Sequence, residues 1–273
     1  MTKVFTSITE VAIDEVKWID TRFSLQDKSS GRKKFEESHI SGAVYWDLEE
    51  DLSDMSKKQG RHPMPSKDSL TVLFRASGLQ LNDKIIIYDD GGSPFAARAW
   101  WILQYAGFTN SFILLEGFEQ IRSTGIAITD ELSAPDKSDV VPIWNETIFA
   151  SRQFVERTVA GETGNVLLDA RSGERYRGEV EPIDPIAGHI PGALNFDWEA
   201  LKKNGQFSMD PHVKEQLSHV VDKSDHITVY CGSGVTAAPL YAMLKQNGYD
   251  NVNVYIGSYS DWISRDKIEV EQS

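Results

Sequence analysis

HITVYCGSGVTAAPLYAML, residues 226–244, carries the only cysteine of the chain where an apolar strand pattern gives way to three small residues and then to a helix. Ile227–Tyr230 is a β-branched and aromatic run of strand length. The stretch from Ala237 has helical spacing and reaches Gly248, where a helix-ending glycine in the left-handed conformation would sit. Gly232, Ser233 and Gly234 leave backbone N–H groups free to curl around the sulfur, and the start of the helix adds partial positive charge behind it. Both effects favour an anionic sulfur, which makes Cys231 a candidate nucleophile. The plainer alternative is a small buried residue that ends a strand.

The rest of the chain repeats this pattern. WIDTR at 18–22 matches LLDAR at 167–171, and SHISGAVYWD at 38–47 matches GHIPGALNFD at 188–197. In the same order, KIIIYDDGG at 84–92 matches HITVYCGSG at 226–234, and LQYAGFTNSFILLEG at 103–117 matches LKQNGYDNVNVYIG at 244–257. Two copies of this length mean two homologous domains. Strands alternating with helical segments predict an α/β fold, each domain a small, mainly parallel sheet with helices on both faces. Residues 129–146, TDELSAPDKSDVVPIWNE, are polar, contain two prolines and show no helical period. They are expected to link an N-terminal domain, 1–128, to a C-terminal domain, 147–273, lying over the surface of both. Sites in parallel sheets sit outside the carboxyl ends of the strands, where Cys231, Asp169, Asp20 and Asp89 all fall.

Composition narrows the function. The 273 residues are 40% hydrophobic and 25% charged, with 28 basic against 41 acidic side chains and a net charge of −13. Such a surface repels nucleic acid and anionic membranes, so neither is an expected partner. The N-terminal stretch has no basic region followed by an apolar core, and nowhere do eighteen apolar residues run together, so the expected location is cytoplasmic. One cysteine makes no internal disulfide. No cysteine–histidine spacing suggests zinc and no cofactor motif is present, so no cofactor is expected.

Two cysteine chemistries fit a loop of this kind. A cysteine-dependent phosphatase holds phosphate with an arginine six residues after the cysteine, and here that position is Ala237. A phosphoryl group would lack its planar bidentate partner. A small neutral loop suits sulfur bound to sulfur, a persulfide.

The duplicated plan, the HISGA and HIPGA stretches and YCGSGVTAA together resemble the tandem-domain rhodanese and 3-mercaptopyruvate sulfurtransferase family. The resemblance implies that only the second domain carries the nucleophile. It also implies that sulfur passes from a small donor, 3-mercaptopyruvate or thiosulfate, through a persulfide on Cys231 to cyanide, a small thiol or a thiol protein. In the first copy the position of Cys231 is taken by Asp89 or Asp90, neither able to carry sulfur. The neutral Gly232 and Ser233 resemble the keto-acid enzymes, and Gly234, Val235 and Thr236 complete the expected donor loop. Of the two arginines such enzymes use for the donor's carboxylate and carbonyl, the first matches Arg175. The second, nine residues on, is replaced by Asp184. Arg171 and Arg177 are the expected substitutes, the alternative for both being ion pairs with Glu174, Glu179 or Glu181. The resemblance also implies a relay of Ser233, His62 and an acid at Glu49, with Asp47 two residues before it. His39 and His189 recur in both copies and read as structural. Trp100 and Trp101 read as core, and Trp46 and Trp198 as candidates to line the cleft. The non-enzymatic alternative is a persulfide carrier or redox-sensing protein loaded by a protein partner.

Overall fold

The computed structural model describes residues 3–132, 134–265 and 268–273. Two parallel sheets form its centre. The first has the order Phe5–Thr6, Ser111–Leu114, Ile85–Tyr88, Lys17–Asp20, Val44–Tyr45. The second has the order Val252–Val254, Ile227–Tyr230, Val166–Asp169, Leu194–Asn195. The last four positions of the first sheet thus recur as the second. Even its edge strand has a remnant there, because Phe149 bridges Val254 in parallel. The central strands Ile85–Tyr88 and Ile227–Tyr230 are fully buried along their length. That explains why they read as continuous apolar runs without polar alternation.

Register settles the first-copy equivalent of Cys231. Asp20 lies opposite Tyr88 as Asp169 lies opposite Tyr230, so the residue that follows, Asp89, occupies the position of Cys231. Asp90 points elsewhere, to Lys34 at 2.8 Å.

The DTR and DAR motifs build the same device at each first strand end. Arg22 pairs with Asp20 at 2.7 Å and Arg171 with Asp169 at 2.6 Å, all four side chains being buried. Each guanidinium also donates to a carbonyl, Ser38 or Gly188, at 2.7 Å. His39 and His189 form a second repeated device, stacking on Phe35 and Tyr176 and bonding the carbonyls of those residues at 2.7 Å.

The two halves share one apolar core. Helix Phe95–Tyr105 lies against helix Ala237–Gln246, and buried alanines on both, among them Ala96, Ala99, Ala238 and Ala242, leave room for close approach. Trp100 bridges them, its ring 5.9 Å from Tyr241 and its indole N–H on the Ser111 carbonyl at 3.0 Å. Trp101 is fully buried as expected of core. Trp46 is buried too, bonded to Ser77 at 2.9 Å, and Trp198 lies under Lys202, so neither lines the cleft.

The polar connection differs from its expectation. Thr129 belongs to a short strand, Ile128–Thr129, antiparallel to His39–Ile40, and Ser133 lies outside the described residues. Beyond it the chain follows the first-domain helices: Arg75 donates to the Val140 carbonyl at 2.9 Å, and Asn145 N–H to the Tyr105 carbonyl at 2.8 Å. The apolar faces of Val140 and Trp144 are what hold it there.

If the core is continuous, Trp100→Ala costs about 3–5 kcal/mol and moves one cooperative urea transition, followed by far-UV circular dichroism, to lower denaturant. Two separate transitions in the unaltered protein would contradict a shared core.

Candidate active site

Cys231 is 1% exposed and sits where strand Ile227–Tyr230 meets its loop. Gly234 N–H donates to the sulfur at 3.1 Å. Gly234 has φ +76°, and a Cβ added there would lie 2.1 Å from the Ile256 carbonyl oxygen, so the turn that aims this N–H admits only glycine. The loop is pinned from the neighbouring segment. Tyr259 N–H donates to the Cys231 carbonyl and Ser260 N–H to the Gly232 carbonyl, each at 2.9 Å. The Ser258 hydroxyl accepts from Cys231 N–H at 3.1 Å and lies 3.9 Å from the sulfur. Ser258 holds a left-handed φ of 56°, which puts backbone strain beside Cys231. Val235 is buried and Thr236 begins helix Ala237–Gln246, so both shape the loop from behind.

The first domain closes the site. His62 Nδ1 is 2.9 Å from Ser233 Oγ, and its Nε2 is 3.7 Å from Glu49 Oε1. Lys28 holds the other Glu49 oxygen at 2.8 Å. Asp47 is turned to the backbone N–H groups of Glu49 and Glu50, at 2.8 and 3.2 Å, and has no part in this chain of contacts. Burial, reinforced by the positive charges of Arg98, Arg61 and Lys28, pulls His62 down to about 4, so the ring is neutral near pH 7. Glu49, His62 and Ser233 open onto a cleft of about 620 Å³ between the domains.

The arginines fall into different places. Arg175 faces the loop, with two guanidinium nitrogens 3.5 Å from where a Cβ on Gly232 would be, and it pairs with Glu181 at 2.7 Å and Asp184 at 3.2 Å. Arg171 is turned away. Its guanidinium is buried on Asp169 and Glu181 over the Tyr259 ring, and Arg22 makes the equivalent Asp20 pair in the copy without a thiol. Arg177 is half exposed and paired with Glu179 at 2.8 Å. Neither fills the position left by Asp184.

A residue that sequence reasoning missed lies against Asp184 instead. Arg61, from the first domain, places Nη2 2.5 Å from a Cβ position on Gly232 and pairs through Nη1 with Asp184 at 3.3 Å. The Arg61 backbone N–H donates to Ser260 Oγ at 3.1 Å, strapping this loop to the segment that pins Cys231. Its signal in the sequence was adjacency to His62 in GRHP. Arg98, which donates to the Gly234 carbonyl at 3.0 Å, was missed as well, although a single charge in the apolar helix FAARAWWILQY was visible.

A profile of the rhodanese-like domain matches residues 9–124 and 155–265. The chain is 37% identical over 252 residues to a Pseudomonas aeruginosa protein assigned as a 3-mercaptopyruvate sulfurtransferase, covering 90% of this chain and 88% of the relative. It is 38% identical over 254 residues to a Mycobacterium tuberculosis protein assigned as a thiosulfate sulfurtransferase, covering 92% and 89%. Among solved structures, the 3-mercaptopyruvate sulfotransferase SseA of Escherichia coli superposes with a TM-score of 0.80 at 28% identity, covering 94% of this chain and 99% of that one. The two relatives are named for different donors.

The depressed His62 predicts a pH effect on stability. A histidine held below its unfolded value of 6.5 contributes nothing above that value and weakens the fold as pH falls from about 6.5 towards 4, because the unfolded chain takes up the proton first. Between pH 7 and 4.5 the unaltered protein should lose about 2 kcal/mol more unfolding free energy than His62→Gln, measured by urea titration. Parallel losses would mean that His62 is not buried as described.

Proposed function

The chain belongs to the rhodanese-like family and is a sulfurtransferase; from that premise we propose that it takes sulfur from 3-mercaptopyruvate through a persulfide on Cys231. The observation that carries the donor assignment is the 2.9 Å contact of His62 Nδ1 with Ser233 Oγ, backed by Glu49. Removing sulfur from 3-mercaptopyruvate leaves an enolate that needs a proton at carbon, whereas thiosulfate leaves sulfite, which needs none. A serine and a neutral histidine beside the sulfur therefore have work to do only with the keto acid.

In the proposed sequence the Cys231 thiolate attacks the donor sulfur while the donor's S–H proton passes through the Ser233 hydroxyl to His62. Glu49 faces the ring nitrogen on the far side and stabilises the positive charge that results. The S–S bond forms, the C–S bond breaks with its electron pair going to the enolate, and the proton returns through Ser233 to carbon. Pyruvate leaves and the persulfide stays on Cys231. An acceptor thiol or cyanide then takes the outer sulfur and regenerates the thiolate, giving double-displacement kinetics.

Charge favours the same donor. Arg61 and Arg175 cover Gly232, so an anion that reaches the sulfur meets both guanidinium groups. Asp184 and Glu181 already offset them, which suits a monoanionic carboxylate better than the thiosulfate dianion. Gly232, Gly234, Val235 and Thr236 then supply a neutral wall and backbone N–H groups for the transferred sulfur.

Thiocyanate formation with each donor tests this. His62→Ala should lower 3-mercaptopyruvate turnover by about 10²–10⁴-fold and leave thiosulfate turnover within about tenfold. Arg61→Leu should raise the KM for 3-mercaptopyruvate by about 10–100-fold with kcat little changed. Equal losses with both donors in His62→Ala, or faster turnover of thiosulfate by the unaltered protein, would overturn the donor assignment.

A further inference from the structure

Helix Phe95–Tyr105 carries one formal charge, Arg98, and buries it completely. Its guanidinium contacts are neutral carbonyls. Nη1 donates to Gly234 at 3.0 Å, and Nη2 to Leu52 at 3.1 Å and His62 at 3.3 Å, while Nε has no partner. No carboxylate pairs with it among the described residues. An isolated buried cation is strongly unfavourable, so an anion must offset it.

The geometry identifies that anion. Gly234, whose carbonyl Arg98 holds, is the residue whose N–H meets the Cys231 sulfur at 3.1 Å. Burial lowers the value of Arg98 to about 10, and a negative charge on Cys231 would act against that fall. The other charges around the loop have partners of their own. Arg61 and Arg175 lie over Gly232 against Asp184 and Glu181, Arg171 is held by Asp169, and His62 is neutral on Ser233. Ser258 and Tyr259, on the segment beneath, bring a hydroxyl and a backbone N–H but no charge. The repeat makes the same point, because with Leu103 paired to Leu244 in the two helices the position equivalent to Arg98 in the second domain is Pro239. The fold does not need a cation there.

We infer that Arg98 is a positioning residue for sulfur transfer: a counter-cation, delivered by the domain that lacks a nucleophile, that matches the negative sulfur of Cys231 in its thiolate and persulfide states and fixes the turn at Gly234. The inference rests on Cys231 as the sulfur carrier. It adds a charge behind the loop to the parts that His62, Glu49 and Arg61 of the same domain take in the proposed chemistry.

The test is the pH dependence of Cys231 alkylation by iodoacetamide in the full chain, free of donor and acceptor, between about pH 5 and 9. Arg98→Lys keeps the charge and loses the fork. Arg98→Gln keeps an amide donor for Gly234 and loses the charge. At pH 6, Arg98→Gln should react about tenfold slower than the unaltered protein and Arg98→Lys within about twofold, with all three rates converging at pH 9. A wild-type profile in Arg98→Gln overturns the inference, as does an equal shift in both variants, which marks a merely structural role. Should Arg98→Gln fail to fold, Cys231→Ser in the otherwise unaltered chain decides. The stability advantage of wild type over this variant in urea should widen as pH rises from 6 to 9, and a constant gap overturns the inference. Turnover surviving in Cys231→Ser would sink the carrier assignment itself and is read separately, because alkylation reports the thiol whether or not sulfur is moved.

Discussion

An anion at the buried carboxyl end of a parallel strand has to be met by donors from the turn that follows, and both halves of this chain are built around that requirement. In the first domain the group in that place is the carboxyl of Asp89. It takes N–H bonds from Gly91 at 2.8 Å and Ala96 at 3.1 Å, and burial pushes it up to about 7. In the second domain the cradle receives the sulfur of Cys231, met by Gly234 N–H. Left-handed glycines, the small residues that open each following helix and the segment bonded to the loop carbonyls all follow from keeping that turn closed. The first domain keeps the cradle and fills it with a carboxylate that cannot leave or transfer anything.

That division of labour ties the loop of the second sheet to groups of the first domain. The loop Gly60–His62 is tied to the segment under Cys231 through Arg61 N–H and Ser260, and from there it presents Arg61 to the donor loop and His62 to Ser233. Arg98 reaches the same loop from behind. The shared apolar core around Trp100 and Tyr241 holds these groups to within hydrogen-bond distance of a site in the other domain.

Much of this was legible in the sequence. The repeat was visible because both sheets need the same apolar strands and the same DTR or DAR turn, and Cys231 stood out because glycines flank a thiol where a strand meets a helix. The relay partners came from resemblance, and the structure brings His62 to Ser233 across 171 residues of chain. What could not be read was the direction in which a side chain points. Arg171 sits four residues from Arg175, yet it folds back on Asp169, and only its twin Arg22, in a copy with no nucleophile, hinted that this is architecture. Arg61 stayed hidden because its partners, Asp184 and Gly232, are brought to it by domain packing and not by spacing.

The account turns on the sulfur passing through Cys231 with pyruvate released, and intact-protein mass measurement after exposure to 3-mercaptopyruvate without acceptor reads this most directly. The unaltered chain should gain one sulfur atom, located on Cys231 and removable by cyanide, with one pyruvate released per chain, and Cys231→Ser should gain none. Pyruvate release without a mass gain, or the same gain in Cys231→Ser, would contradict it.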